Sequence, residues 1–235
     1  MEGYDVVYFV KDKSINEELT YSIRSVVANF PHRKIWIYGG IPSNLIKENY
    51  VMELQVGTTK WDKVRRMFMH AANNNDITES FYLFNDDFFV MKKVEKMPVL
   101  YRGPLAEHIL TIEGVYGNKP TNYTKQLRKV FYKLGDENLP RRSYELHVPF
   151  LFNRKKLAEI IRKYPDLRCT RTMYGNCNDI GGERVDDVKV YGGSRNPVKS
   201  YSTFLSTDDK AWRTNTMGVT NYIKSSFPEK SRYEK

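Results

Sequence analysis

A chain of 235 residues, 40% hydrophobic and 14% aromatic, can bury a full core; this excludes a disordered polypeptide and favours one elaborated domain over two. Its formal net charge is +10, and most of the surplus falls between Asn118 and Arg171, where 14 Lys and Arg meet five Asp and Glu. Such a field suits a polyanion (nucleic acid, anionic glycan or nucleotide phosphate), and equally a solvated surface.

Two cysteines, Cys169 and Cys177, are too few for a disulfide framework, and their spacing fits no zinc pattern. No apolar run approaches the roughly 20 residues of a membrane helix, and the acidic start Met1-Glu2-Gly3-Tyr4-Asp5 does not read as a signal peptide. The expectation is a cytoplasmic protein with no transmembrane segment.

Val6–Val10 is a short continuous apolar run, as expected of a parallel strand buried on both faces. Asn16–Asn29 places Leu19, Ile23, Val26 and Val27 at helical spacing, and Pro31 ends the helix. Lys34–Tyr38 is a second strand, closed by Gly39-Gly40, which completes a βαβ unit. Tyr50–Val56 adds a further strand, and Thr59–Asn73 a helix with Trp61, Val64 and Phe68 on one side. Neither a GxGxxG after the first strand nor a GxxxxGK[ST] occurs, which argues against dinucleotide and P-loop sites.

The next strand, Phe81-Tyr82-Leu83-Phe84-Asn85-Asp86-Asp87-Phe88-Phe89-Val90, is the most informative stretch. A core strand has no use for two adjacent carboxylates, because an unpaired buried carboxylate is costly. The strand is therefore expected to end at Asn85, with Asp86 and Asp87 emerging at its C-terminal edge, where open α/β sheets place ligands. Hard oxygen ligands there suit Mg²⁺ or Mn²⁺ bridging phosphates; a plain turn between two apolar strands is the competing reading.

After Met91, Pro98, Gly103, Pro104, Gly114, Gly117 and Pro120 break the chain into short segments, as in a loop region. Tyr123–Leu134 is a basic amphipathic helix, with Lys125, Arg128, Lys129 and Lys133 as acceptor-binding candidates. Tyr144–Phe152 reads as a bent or edge strand carrying His147 and Pro149. A helix from Arg154 to Lys163 follows, capped by Asn153. Residues 169–198 read as loops with short strands. Phe204–Asp209 resembles a strand end bearing a second acidic pair. The domain is expected to span 1–224, with a donor half (1–95) and an acceptor half (96–224), and the polar tail 225–235 is expected to fray.

These parts suit a transfer reaction in which a divalent metal neutralises a diphosphate and a carboxylate or imidazole deprotonates an acceptor hydroxyl. Asp86, Asp87 and His147 are the metal candidates; Asp87, His147, Asp208 and Asp209 are the catalytic ones. Asp208 and Asp209 would serve equally as a helix cap. Asp12, Arg24, Asn85 and Asp86 are assigned to the donor.

Four blocks resemble the Stealth family of sugar-phosphate transferases, in the same order as in that family. They are Tyr4-Asp5-Val6-Val7-Tyr8-Phe9-Val10-Lys11-Asp12, Leu19-Thr20-Tyr21-Ser22-Ile23-Arg24-Ser25-Val26, Lys34-Ile35-Trp36-Ile37 with Gly40-Ile41-Pro42-Ser43, and Phe84-Asn85-Asp86-Asp87-Phe88-Phe89. They cover about the first 95 residues; later, only His147-Val148-Pro149 is similar to a family element. The resemblance implies an α/β, GT-A-like nucleotide-sugar transferase fold with a mainly parallel central sheet, a nucleotide-sugar donor and a metal.

The leading reading is a metal-dependent glycosyltransferase acting on a hydroxyl acceptor, for instance a hydroxymethylated base in DNA, given the basic segment. The alternatives are a Stealth-type sugar-phosphate transferase acting on a surface or capsule glycan, and a non-catalytic nucleic-acid-binding module. A phosphohydrolase is disfavoured, since no second ligand cluster of matching type is present.

Overall fold

The computed structural model describes residues 3–11, 14–40, 42–52, 59–195 and 202–235. In chain order its elements are β1 (Asp5–Val10), α1 (Glu17–Asn29), β2 (Ile35–Gly39), β3 (Tyr50–Met52), α2 (Lys60–Asn73), β4 (Ser80–Asn85) and β5 (Phe88–Val90). There follow β6 (Leu100–Tyr101), β7 (Gly103–Pro104), α3 (Leu105–Val115), α4 (Asn122–Asp136), β8 (Arg142–Ser143), β9 (Phe150–Asn153), α5 (Arg154–Lys163) and α6 (Thr170–Cys177). The chain closes with β10 (Glu183–Arg184), β11 (Lys189–Val190), β12 (Phe204–Thr207), α7 (Asp209–Thr214), a 3₁₀ turn (Thr216–Gly218) and α8 (Val219–Ser226).

The central sheet has the order β3-β2-β1-β4-β9. Its first four strands are parallel, and β9 pairs antiparallel with β4. β1 is central, with Val7 opposite both Trp36 and Leu83. Hydrogen-bonded on both edges and covered on both faces, it reads as an unbroken apolar run. One face is covered by Leu19, Ile23 and Val26 of α1, packed with Tyr8, Phe84 and Phe88. The other carries Met67, Phe68 and Ala71 of α2 with Leu157 and Ile161 of α5. A second sheet, β11-β12-β5, pairs β5 antiparallel with β12. The chain therefore changes sheets at Asp86-Asp87, the turn between β4 and β5.

The strand expected over Tyr144–Phe152 is confined to Phe150–Asn153. Pro149 has no N–H for the ladder, and the preceding backbone is satisfied by side chains instead. Tyr144 N–H donates to Thr172 Oγ1 (3.2 Å), His147 N–H to Asp187 Oδ1 (3.1 Å), and Arg171 donates to the Leu146 carbonyl (2.7 Å). Two stretches expected to be irregular are helices, α3 and α6. α6 contains Gly175, a poor helix former, yet a Cβ there would run into the ring of Tyr144.

The tail does not fray. Arg24 grips Glu234 with two hydrogen bonds (2.9 and 2.7 Å), Lys235 N–H donates to the Asn44 carbonyl (3.0 Å), and Tyr233 is buried. The strand expected over Tyr50–Val56 is seen as Tyr50–Met52, and its remainder lies outside the described residues.

Candidate active site

β1→α1→β2 builds the sheet in one direction, and β4 then returns to the other side of β1. The crevice beyond the C-terminal ends of β1 and β4 is thus a topological switch point, the usual ligand position in open α/β sheets. Asn85 ends β4, and Asp86 and Asp87 lie just beyond it at this crevice. The strand ends at Asn85 as expected, and the two carboxylates sit in the turn that follows it. Asp12 lies outside the described residues.

Asp86 is held by the start of α1. Asn16 caps that helix, its Oδ1 accepting from Leu19 N–H (3.1 Å), while its Nδ2 donates to Asp86 Oδ2 (2.6 Å). Asp87 Oδ2 accepts from Lys189 Nζ (2.6 Å) and from Ser206 Oγ (3.3 Å). Its other oxygen, Oδ1, is buried and has no hydrogen-bond partner among the described residues. An orphaned, buried carboxylate oxygen is costly unless something else satisfies it. Burial, the largest single influence, would lower the Lys189 pKa, but the charge and hydrogen bond of Asp87, helped by Tyr191 and Asp187, together hold the ammonium above its ordinary value.

Asp86, Asp87 and Lys189 line a cleft of about 420 Å³. Its carboxylates are Glu18, Asp86, Asp87, Asp208 and Asp209, and its cations are Lys189, Lys210 and Arg213. Glu18, only 6% exposed, accepts from Thr207 Oγ1 (2.8 Å). Burial pushes its pKa up to about 7, with the charges of Asp86, Asp87 and Asp209 adding to the effect. Asp208 is the cap of α7, its Oδ1 accepting from the N–H groups of Ala211 (2.6 Å) and Gly192 (2.9 Å). The structure thus gives Asp208 the capping role that competed with a catalytic one.

His147 is placed with Asp187. Its Nδ1 lies 2.7 Å from Asp187 Oδ2, which also accepts from Arg102 (3.1 Å). Burial would raise Asp187, but His147 and Arg102 bring it down to about 2. Among the described residues no three His, Cys, Asp or Glu side chains form a group that could hold a metal ion. His147 therefore does not complete a ligand set with Asp86 and Asp87. Arg171, buried under this loop, bridges the carbonyls of Leu146 and Val148 on either side of His147 (2.7 and 3.4 Å) and lies over the Phe88 ring.

Two further expectations change. Arg24, assigned above to the donor, is tied to Glu234 and to the carbonyls of Phe227 and Pro228. In the basic helix, now α4, Arg128 is bound to Glu113 (2.6 Å) and Lys133 to Glu137 (3.1 Å). Only Lys125 and Lys129 of that row are exposed and outside an ion pair among the described residues.

Sequence reasoning missed Asn16, Glu18, Arg171, Asp187 and Lys189. Asp187 stands in an Asp186-Asp187 pair two residues before Lys189. That is a local acidic pattern like the one that drew attention to Asp86-Asp87.

The mainly parallel sheet, with a second sheet whose Lys189 and Thr207 line the cleft at its switch point, is an α/β fold of the GT-A kind. Among solved structures, the chain is similar to an active-site mutant of LgtC, with a TM-score of 0.50 and 10% identity over 97% of this chain and 98% of that one. It is also similar to the galactosyltransferase LgtC in complex with donor and acceptor sugar analogues, with a TM-score of 0.48 and 11% identity over 97% and 98%. No protein-family model matches the chain, and no curated protein matches its sequence.

Proposed function

We propose that the protein transfers a sugar from a nucleotide-sugar donor to a hydroxyl acceptor, with the donor diphosphate in the crevice between β1 and β4. The observation that carries this reading is the acidic turn at the switch point, where Asp87 keeps a buried oxygen without a partner. The likeness to a galactosyltransferase fold and the four Stealth-like blocks point the same way. Three of those blocks lie on β1, α1 and β2, and the fourth runs from β4 into β5.

Two adjacent carboxylates, one with an unsatisfied oxygen, fit Mg²⁺ or Mn²⁺ only with the donor phosphates completing the ligand set, as is usual for these ions. Asp87 through Oδ1, with Asp86 beside it, would hold the ion. Such an ion supplies positive charge for the phosphates of the departing nucleotide.

Lys189 adds a fixed cation at the same carboxylate. Asn16 fixes Asp86 against the first turn of α1, so the acidic turn is set before the donor arrives.

On the acceptor side, Asp187 accepts the Nδ1 proton of His147 and thereby leaves Nε2 as a proton acceptor. An acceptor hydroxyl within reach of Nε2 loses its proton as its oxygen attacks the sugar. Asp187 then stabilises the imidazolium that forms. Arg171 holds the backbone on both sides of His147 and acts as a positioning residue. Asp209, in the first turn of α7, lines the same cleft as Asp86 and Asp87.

A glycan hydroxyl suits this site better than a base in DNA, because half of the cation row proposed to track a duplex is already neutralised by Glu113 and Glu137. Sugar transfer and Stealth-type sugar-phosphate transfer differ in the bond that breaks, and so in the nucleotide released. Sugar transfer leaves a nucleoside diphosphate; sugar-phosphate transfer leaves a nucleoside monophosphate. Incubating the protein with a panel of nucleotide sugars and Mn²⁺, and resolving the nucleotides by ion-exchange chromatography, should show the diphosphate. Monophosphate as the sole product overturns sugar transfer in favour of the Stealth-type reaction, and no release from any donor removes the transferase reading.

A further inference from the structure

α3 and α4 pack side by side over a shared core of Leu105, Ile109, Leu127, Val130 and Leu134. Their outer surface is unusual for a water-facing helix pair. Leu110 is 65% exposed and Val115 78%, and Tyr116 and Tyr132 are each 61% exposed. Four of the eleven large apolar side chains exposed among the described residues thus fall on this one hairpin. Of the six exposed positions along α3 (Ala106, Glu107, Leu110, Thr111, Gly114 and Val115), five carry no charge. Glu107 is the one acidic group among them, and it is held by Arg184 (2.6 Å). A surface helix normally turns its polar side outward, and a cluster of exposed apolar groups marks a binding surface.

The exposed stripe of α4 that carries Tyr132 is mainly cationic, with Asp136 its one acid. Lys119 in the α3–α4 connection, and Lys125 and Lys129 on α4, are exposed and take part in no ion pair among the described residues. A nucleic-acid duplex would use the lysines but has no use for Leu110 or Val115. A bilayer with anionic headgroups uses both, since apolar side chains enter the headgroup–acyl boundary, tyrosines sit at the interface and lysines meet lipid phosphates.

We propose that the outer face of the α3–α4 pair docks on an anionic lipid bilayer, holding the protein at a membrane surface without spanning it. No helix among the described residues is long and apolar enough to cross one. This inference stands apart from the transfer chemistry, because none of its residues lines the cleft.

The test is sedimentation of the full chain with vesicles of phosphatidylcholine alone, and of phosphatidylcholine containing phosphatidylglycerol. Binding is expected to the anionic vesicles only and to weaken as salt rises. The double variant Leu110→Glu with Val115→Glu should bind at least about tenfold more weakly. Lys125→Gln with Lys129→Gln should lose roughly fivefold for each lysine. Met217→Glu, an exposed apolar position elsewhere, should bind as wild type, and the melting temperatures of all variants should match. The proposal is overturned by failure to bind anionic vesicles, or by binding that survives Leu110→Glu with Val115→Glu. Lysine-dependent binding to duplex DNA without vesicle binding also overturns it, assigning the cations to nucleic acid.

Discussion

Glu18 offers a quantitative check on the site, because its cost depends on pH in a direction the geometry fixes. The carboxyl is 6% exposed, and burial together with Asp86, Asp87 and Asp209 raises its pKa from 4.5 to about 7. In the unfolded chain it ionises near 4.5, so between 4.5 and 7 the native state binds more protons than the unfolded state. Stability therefore falls as pH rises through that window, and the full penalty applies above about 7. A shift of this size corresponds to about 3 kcal/mol. Glu18→Gln removes the charge and keeps an oxygen to accept from Thr207. Urea unfolding in EDTA should show the two proteins nearly equal at about pH 4 and the variant about 3 kcal/mol more stable at about pH 8. For a chain of this length that is a gain of roughly 10 °C in melting temperature. A difference that stays constant across the window would refute the placement of Glu18 in a buried acidic cluster.

Arg24→Ala should leave donor binding unchanged while costing about 3 kcal/mol and exposing the tail to trypsin, since the arginine secures Glu234 and two tail carbonyls. Arg171→Met, which strands the carbonyls beside His147, should cost about 2 kcal/mol and lower kcat with little effect on the donor KM. Asp187 has its pKa lowered from 3.8 to about 2, so the stability it contributes is present above 3.8 and disappears as pH falls toward 2. Asp187→Asn should accordingly be about 2 kcal/mol less stable than wild type at neutral pH, with the gap closing in acid, as read from acid-unfolding curves.

Much of the first 95 residues, and the start of α5, was legible because local rules and the tertiary fold agree there. The apolar run of β1, the periodic faces of α1 and α2 and the cap at Asn153 all formed as their residues dictate. The position of Asp86 and Asp87 followed from the cost of burying a carboxylate. The remainder depended on contacts distant in sequence. Arg24 looked like a donor ligand because its partner Glu234 is 210 residues away, and the same contact orders a tail whose composition reads as fraying. Lys189 meets Asp87 across 102 residues, and Asp187 meets His147 across 40. Glu18 stands in a helix first turn, where the dipole favours an acidic residue, and its partner Thr207 on β12 is 189 residues away. α3 was hidden by the glycines and prolines around it, and α6 by Gly175, which is there to make room for Tyr144.

The claim on which the account rests is that Asp87 organises a nucleoside-diphosphate site at the switch point. The direct measurement is the thermal shift of the protein with UDP, GDP, ADP and CDP, each with Mn²⁺ and each with EDTA, for wild type and Asp87→Asn. The account predicts that at least one diphosphate raises the melting temperature of wild type in Mn²⁺ but not in EDTA. It also predicts that the shift is absent in Asp87→Asn, with circular dichroism confirming that the variant is folded. No shift with any of the four, or an equal Mn²⁺-dependent shift in folded Asp87→Asn, would contradict it.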